Sequence, residues 1–196
     1  MKTIRIMNQT LKLTALFGIM NFLASNFLFF NQSFAATTID PERRIRELKI
    51  ELPSPVAPYS NYVKAVRVGN TLYLAGHLPQ KKDGSFIKGK LGKELTVEQG
   101  NEAARLTAIN LITTLKAEVG DLNRVVKIVR IFGMVNAVDS FEDHPKVING
   151  ASDLLVSVFG EAKGKHTRCA VGMSSLPNGV AVEIEMVVEL KDPETN

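Results

Sequence analysis

Apolar and polar residues change their spacing several times along this chain, and each change marks an element. Tyr62 to Arg67 and Thr71 to Ala75 are short apolar runs around Gly69-Asn70, the pattern of a β-hairpin, and Gly76-His77-Leu78-Pro79 closes the second strand. A loop through Lys82-Asp83-Gly84-Ser85 follows. The spacing then becomes helical. Thr96-Val97-Glu98-Gln99 is a capping box, and Ala104, Ala108, Ile109, Leu111, Ile112 and Leu115 form an apolar stripe that runs to about Val119, before Gly120. Val125 to Val135 is the most β-branched run and predicts a buried central strand. Phe141 to Lys146 reads as a connection, and Val147 to Phe159 as a second amphipathic helix ending at Gly160. The chain closes with His166 to Leu190, two strands around a Leu-Pro-Asn-Gly turn. Strand side chains alternate between faces. In the last strand Val180, Val182, Ile184, Met186 and Val188 therefore share one face, with Glu183 and Glu185 on the other. In the strand before it Arg168, Ala170 and Gly172 share a face, opposite Cys169, Val171 and Met173.

The order is ββαβαββ. Two helices covering one face of a mixed sheet make an α+β layered domain. Ahead of it, Asp40-Pro41-Glu42 opens a short helix with an acidic N-cap and proline at the first helical position. Ile45, Leu48 and Leu52 give that helix an apolar side, and the proline-rich stretch from Leu52 to Pro58 ends it.

The first residues have a different composition. Lys2 and Arg5 precede an apolar run from Leu13 to Phe30, and Ser33-Phe34-Ala35 places small residues at a cleavage position. This is the layout of a secretory signal peptide, cut after Ala35 or one residue later. The competing reading is an uncleaved membrane anchor; Asn21, Ser25, Asn26 and the Ser-Phe-Ala site weigh against it. The expected organisation is a signal peptide over 1–35, a helix and linker over 36–58, and the folded domain over 59–196. The expected destination is the periplasm or the exterior, with no membrane attachment after cleavage.

Removing the leader changes the charge. The whole chain carries +4, but Lys2, Arg5 and Lys12 lie in the leader, which leaves 21 basic residues against 20 acidic ones. Nucleic-acid binding loses its compositional support, because a phosphate-tracking surface needs concentrated positive charge. One cysteine cannot form an internal disulfide. His77, His144 and His166 have no metal-ligand spacing, so no metal is expected.

Four stretches carry a resemblance to the YjgF/Rid family of reactive enamine/imine intermediate deaminases, over about Asn61 to Leu190. Tyr62-Val63-Lys64-Ala65-Val66-Arg67-Val68-Gly69-Asn70 is similar to the family's opening hairpin, and Leu74-Ala75-Gly76-His77-Leu78-Pro79 to its Ser-Gly-Gln-Ile-Pro segment. Val147-Ile148-Asn149 resembles the start of its second helix. Thr167-Arg168, Leu176-Pro177 and Val182-Glu183-Ile184-Glu185 resemble its closing signature. The resemblance implies a chorismate-mutase-like fold and a homotrimer with pockets in the clefts between subunits. It also implies hydrolysis of 2-imino acids to 2-keto acids and ammonia without a cofactor. Arg168 would clamp the substrate carboxylate, a role suited to a planar, permanently charged group with paired donors. Glu183 would position or activate water if its pKa is tuned toward neutral. Tyr62, Gly76 and Asn149 match pocket positions.

Each assignment has a plainer alternative. Tyr62 reads equally as a hairpin aromatic, Asn149 as a helix cap, Gly76 as a strand terminator and Glu183 as a half-exposed strand carboxylate. The chain also departs from the family pattern. Ala170 stands where the classical cysteine would be, and Cys169 reads as a small buried hydrophobe. His77 replaces a glutamine and is expected to titrate near neutrality. A non-catalytic trimer that binds a small carboxylate therefore stays open beside the deaminase. The endoribonuclease activity attached to some relatives has no support in the charge.

Overall fold

The computed structural model describes residues 39–58 and 60–192; the expected leader lies outside them. Helix α1 (Pro41–Glu47) is followed by β1 (Ala65–Val68), β2 (Thr71–His77), α2 (Val97–Val119), β3 (Val125–Asn136), α3 (His144–Gly164), β4 (Thr167–Met173) and β5 (Val182–Leu190). After α1 the order is ββαβαββ, as the spacing predicts. The five strands form one sheet in the order β1-β2-β5-β3-β4, and only the β3–β4 pair is parallel.

Local signals account for the elements. Asp40 caps α1, its side chain accepting from the backbone of Glu42 and Arg43. At the start of α2 the Gln99 amide donates to Thr96 Oγ1 at 3.3 Å and the Thr96 amide to Gln99 Oε1 at 2.9 Å, the reciprocal bonds of a capping box. Ala65 to Val68 pair with Leu74 to Thr71 around Gly69-Asn70. Leu111, Ile112 and Leu115 of α2, Ile148 and Leu155 of α3, and Ile184, Met186 and Val188 of β5 are buried together on one side of the sheet. The two helices cross at Gly150, where a Cβ would stand 2.0 Å from the Asn101 carbonyl oxygen. No side chain fits that approach.

Tertiary packing alters several expectations. β3 is interior, but the central strand is β5. Ile128 and Ile131 of β3 are fully buried while Val126 and Val129 are each 40% exposed, because helices cover only one face of the sheet. His144-Pro145-Lys146 is not a connection: it is the first turn of α3, where proline costs no hydrogen bond. The strands flanking Leu176-Pro177-Asn178-Gly179 are not paired with each other, since β3 lies between them.

The face turned away from the helices is open and carries exposed apolar side chains beside Glu185 and Arg130. Val66, Val68 and Tyr73 are 49%, 63% and 50% exposed there. Cys169 pairs in register with Phe132 on the edge of the same face and is exposed, not buried as expected, because no layer lies over it.

The residues before β1 form an arm on the domain. Glu42 Oε1 accepts from the Leu122 amide at 2.9 Å and pairs with Lys116, while Ile45 and Ile50 are buried. No helix among the described residues is long and apolar enough to cross a membrane.

Candidate functional site

The chemistry-bearing residues fall into two groups, separated by the sheet. The first surrounds an irregularity in β2. Leu74 pairs with Met186 and His77 with Ile184, so Ala75 and Gly76 together oppose the single residue Glu185. This two-against-one arrangement is a β-bulge, which bends its strand and re-aims the side chains beyond it. β1 pairs as far as Ala65 with Leu74, and the Ala75 amide still donates to the Lys64 carbonyl at 2.9 Å. Among the described residues no strand pairs with the outer edge of β2 beyond that point.

A cavity of about 560 Å³ opens at that edge. Gly76, His77 and Glu183 line it from the sheet, Asn110, Thr113 and Thr114 from α2, and Pro53 to Val56 from the arm. Tyr62 and Lys64 also line it, with the Lys64 ammonium 5.9 Å from the centre of the Tyr62 ring. Glu183 lies against Gly76 so closely that a Cβ there would stand 2.0 Å from Glu183 Oε1. Gly76 thus makes room for the Glu183 carboxylate, a use more specific than ending a strand. Burial pushes the pKa of Glu183 up, the neighbouring Glu185 carboxylate adds to the rise, and Lys64 opposes it. The direction is the one a general base for neutral pH requires.

His77 is not the near-neutral group expected from sequence. The bulge turns it inward, where it is 4% exposed. Its Nδ1 lies 2.7 Å from the Ala75 carbonyl oxygen, which can only accept, so Nδ1 carries the proton. Nε2, 2.7 Å from Thr114 Oγ1, then accepts from that hydroxyl. Burial lowers the His77 pKa to about 4, the Ala75 bond resisting and Lys64 adding to the fall. A neutral ring with both nitrogens engaged braces the bulge.

Arg168 belongs to the second group, on the helix side of the β4 edge. Its Nη1 donates to Ser152 Oγ at 3.1 Å and its Nη2 to the Pro145 carbonyl at 3.3 Å, both on α3. His166 Nδ1 donates to the Gly164 carbonyl at 2.6 Å, which leaves Nε2 to accept from Ser152 Oγ at 3.1 Å. Burial lowers the His166 pKa, with Arg168 adding to the fall and the Gly164 bond resisting it. A neutral His166 thus orients the Ser152 hydroxyl, and the hydroxyl oxygen receives Arg168. Asn149 stands half-buried inside α3, which begins at His144, so it does not cap the helix.

Arg168 and Glu183 do not meet within one protomer. Arg168 is level with Ile131, and Ile131 with Met186, so Glu183 lies two strands across and three residues along. These offsets amount to about 10 Å in each direction. The side chains also leave opposite faces of the sheet. Sequence reasoning missed Ser152, Thr113, Thr114, Asn110 and the arm. Ser152 follows Asn149 at the three-residue spacing of one helix face, and Thr113-Thr114 interrupts an apolar stripe; both were readable signals. Nothing local points to the arm.

Residues 42–190 match the family model described as "YjgF/chorismate_mutase-like, putative endoribonuclease". The chain belongs to the YjgF/Rid family. Protein TCP17 of Trypanosoma cruzi is 45% identical over 148 residues, 76% of this chain and 92% of that one. The 2-iminobutanoate/2-iminopropanoate deaminase of Dermatophagoides farinae is 29% identical, over 71% of this chain and 91% of that one. A solved structure described as a "putative endoribonuclease", from Shewanella oneidensis, superposes with a TM-score of 0.74 at 36% identity, covering 77% of this chain and 99% of that one. YjgF/Rid membership accounts for the ββαβαββ order and the mixed sheet, and the family includes imine deaminases.

Proposed function

We propose that this protein hydrolyses reactive 2-imino acids and their enamine tautomers to 2-keto acids and ammonia. The observation that carries the reading is the Glu183 carboxylate, seated on Gly76 at the cavity wall with its pKa raised. Water bonds through oxygen to the imine carbon while Glu183 takes one of its protons, and the C=N electron pair moves to nitrogen. Glu183 returns the proton to nitrogen. It then relays the hydroxyl proton to that same nitrogen as the carbonyl forms and the C–N bond breaks, so that nitrogen leaves as neutral ammonia. One water is consumed and one ammonia released.

Arg168 clamps the substrate carboxylate in this reading, and it comes from a neighbouring protomer. Two features support that step. Arg168 and Glu183 leave opposite faces of the sheet in one protomer, and the exposed apolar side chains of Val66, Val68 and Tyr73 call for a partner. The assembly is the homotrimer that the family resemblance implies. Export through the 1–35 leader forms part of the same proposal.

A second reading is a trimer that binds small carboxylates without hydrolysis. Ala170, at the family's cysteine position, favours it, because capture needs only Arg168. The test generates 2-imino acids in situ with an amino-acid oxidase and traps surviving imine with semicarbazide. Hydrolysis predicts that the protein lowers trapping and that Arg168→Ala does not. If neither lowers trapping and pyruvate binds only the unsubstituted protein, the carboxylate-binding reading replaces hydrolysis. Equal behaviour of the two proteins in both assays removes Arg168 from the site.

A further inference from the structure

The cavity beside Glu183 is much larger than a short imino acid requires. At about 30 Å³ per non-hydrogen atom, the liquid share of a water and a generous allowance, the seven atoms of 2-iminobutanoate fill about 210 Å³. The cavity holds about 560 Å³, within the range of clefts that take drug-sized ligands.

The extra space is chemically quiet although polar residues line it. Asn110 Nδ2 donates to the carbonyls of Leu78 at 3.0 Å and Gln80 at 3.1 Å. Thr113 Oγ1 donates to the Ile109 carbonyl at 2.9 Å, and the Thr114 hydroxyl is committed to His77. These donors serve the protein's own backbone and His77. Facing them are Pro53, Pro55 and Val56 of the arm and Phe86 of the loop after β2. The lining also carries Glu183, Lys64, Gln80, Asn178 and the rim lysines Lys81 and Lys82, of which Lys82 is paired with Glu51 on the arm.

The wall is also preformed. Proline fixes φ at two positions of the arm segment. The buried Ile45 and Ile50 and the Glu42 contact with the Leu122 amide anchor the arm upstream. A fixed apolar wall opposite a floor of spent donors selects for an apolar group of matching size, and each buried methylene is worth about 10-fold or more in discrimination.

We propose that the substrates are 2-imino acids with a bulky apolar side chain, aromatic or branched, whose reacting head lies at Gly76 and Glu183 and whose side chain fills the space between the arm and α2. This inference rests on the deaminase reading for its chemistry and on the cavity alone for its size selection. The arm then sets specificity, and α2 supplies the floor.

The experiment measures kcat/KM by imine trapping for imines generated from phenylalanine, leucine and alanine. It uses the unsubstituted protein, Ser54→Trp, which narrows the cavity from the exposed arm, and Phe86→Ala, which removes an apolar wall. The expected preference for the phenylalanine- or leucine-derived imine over the alanine-derived one is at least 10-fold. Each variant should lower that ratio at least threefold. A preference for the alanine-derived imine, or a ratio that neither variant moves, overturns the inference and leaves the deaminase reading standing. If no imine is turned over, calorimetry with phenylpyruvate and pyruvate decides. Tighter binding of phenylpyruvate, weakened by Phe86→Ala, keeps the size selection while hydrolysis falls; equal binding overturns the size selection too.

Discussion

Gly76→Ala tests the site at its tightest contact. The added Cβ would lie 2.0 Å from Glu183 Oε1, 2.9 Å from its carboxyl carbon and 3.1 Å from Cγ. Ordinary van der Waals contact between such atoms begins at about 3.5 Å, so the carboxylate must move by roughly 1.5 Å. Glu183 is half-buried at a cavity wall and can swing outward. The fold should therefore lose only about 0.5–1.5 kcal/mol, the cost of an unfavourable rotamer. Catalysis is less forgiving, because a misplacement of about 1 Å costs roughly 100-fold in rate, or about 2.7 kcal/mol of barrier. The assay combines kcat for imine hydrolysis with titration of the Glu183 carboxyl by carbon-13 NMR. Gly76→Ala should lower kcat about 100-fold and bring the Glu183 pKa down toward the ordinary glutamate value, since the displaced group regains solvent. In a Glu183→Ala background the same substitution should have little further effect on rate, because residues in direct contact are not additive. Full activity in Gly76→Ala with an unchanged Glu183 titration would refute the reasoning, and with it the role of the bulge.

Two further outcomes follow from the hydrogen-bond geometry. Burial holds the His77 pKa at about 4, below the ordinary 6.5, so the unfolded chain takes up a proton first as the pH falls. Stability should therefore decline between pH 6.5 and about 4, by up to about 3 kcal/mol, and His77→Gln should flatten that part of a Tm-against-pH curve; parallel curves for the two proteins would count against a neutral, buried His77. Ser152→Ala removes the hydroxyl that links His166 to Arg168, and should raise KM about 3- to 10-fold with kcat nearly unchanged, whereas an equal fall in kcat would mean that Ser152 acts beyond holding the arginine.

Much of the fold was legible because its determinants are local. The capping box at Thr96, the acidic cap at Asp40 and the Gly69-Asn70 hairpin act within a few residues and appear where the sequence puts them. The start of α3 was read three residues late, because His144-Pro145-Lys146 carries no apolar stripe and proline suggests a break unless it sits in a first turn. The site was legible only in part. Tyr62, Gly76 and Glu183 were read from short motifs and line one cavity. His77, adjacent to Gly76 in the same motif, was misread because a single bulge residue inverts the faces that follow it.

The sequence alone determined the element types, their order and the identity of the groups able to do chemistry, because periodicity, caps and turns are short-range properties of the chain. Tertiary structure decided which of those groups meet. Inserting β5 between β2 and β3 brings Glu183 against Gly76, and leaving β4 on the far edge carries Arg168 to α3. Folding the arm back turns a proline-rich linker into the wall of a cavity. Strand order and register are set by burial summed over the whole sheet, a quantity no single stretch of sequence contains.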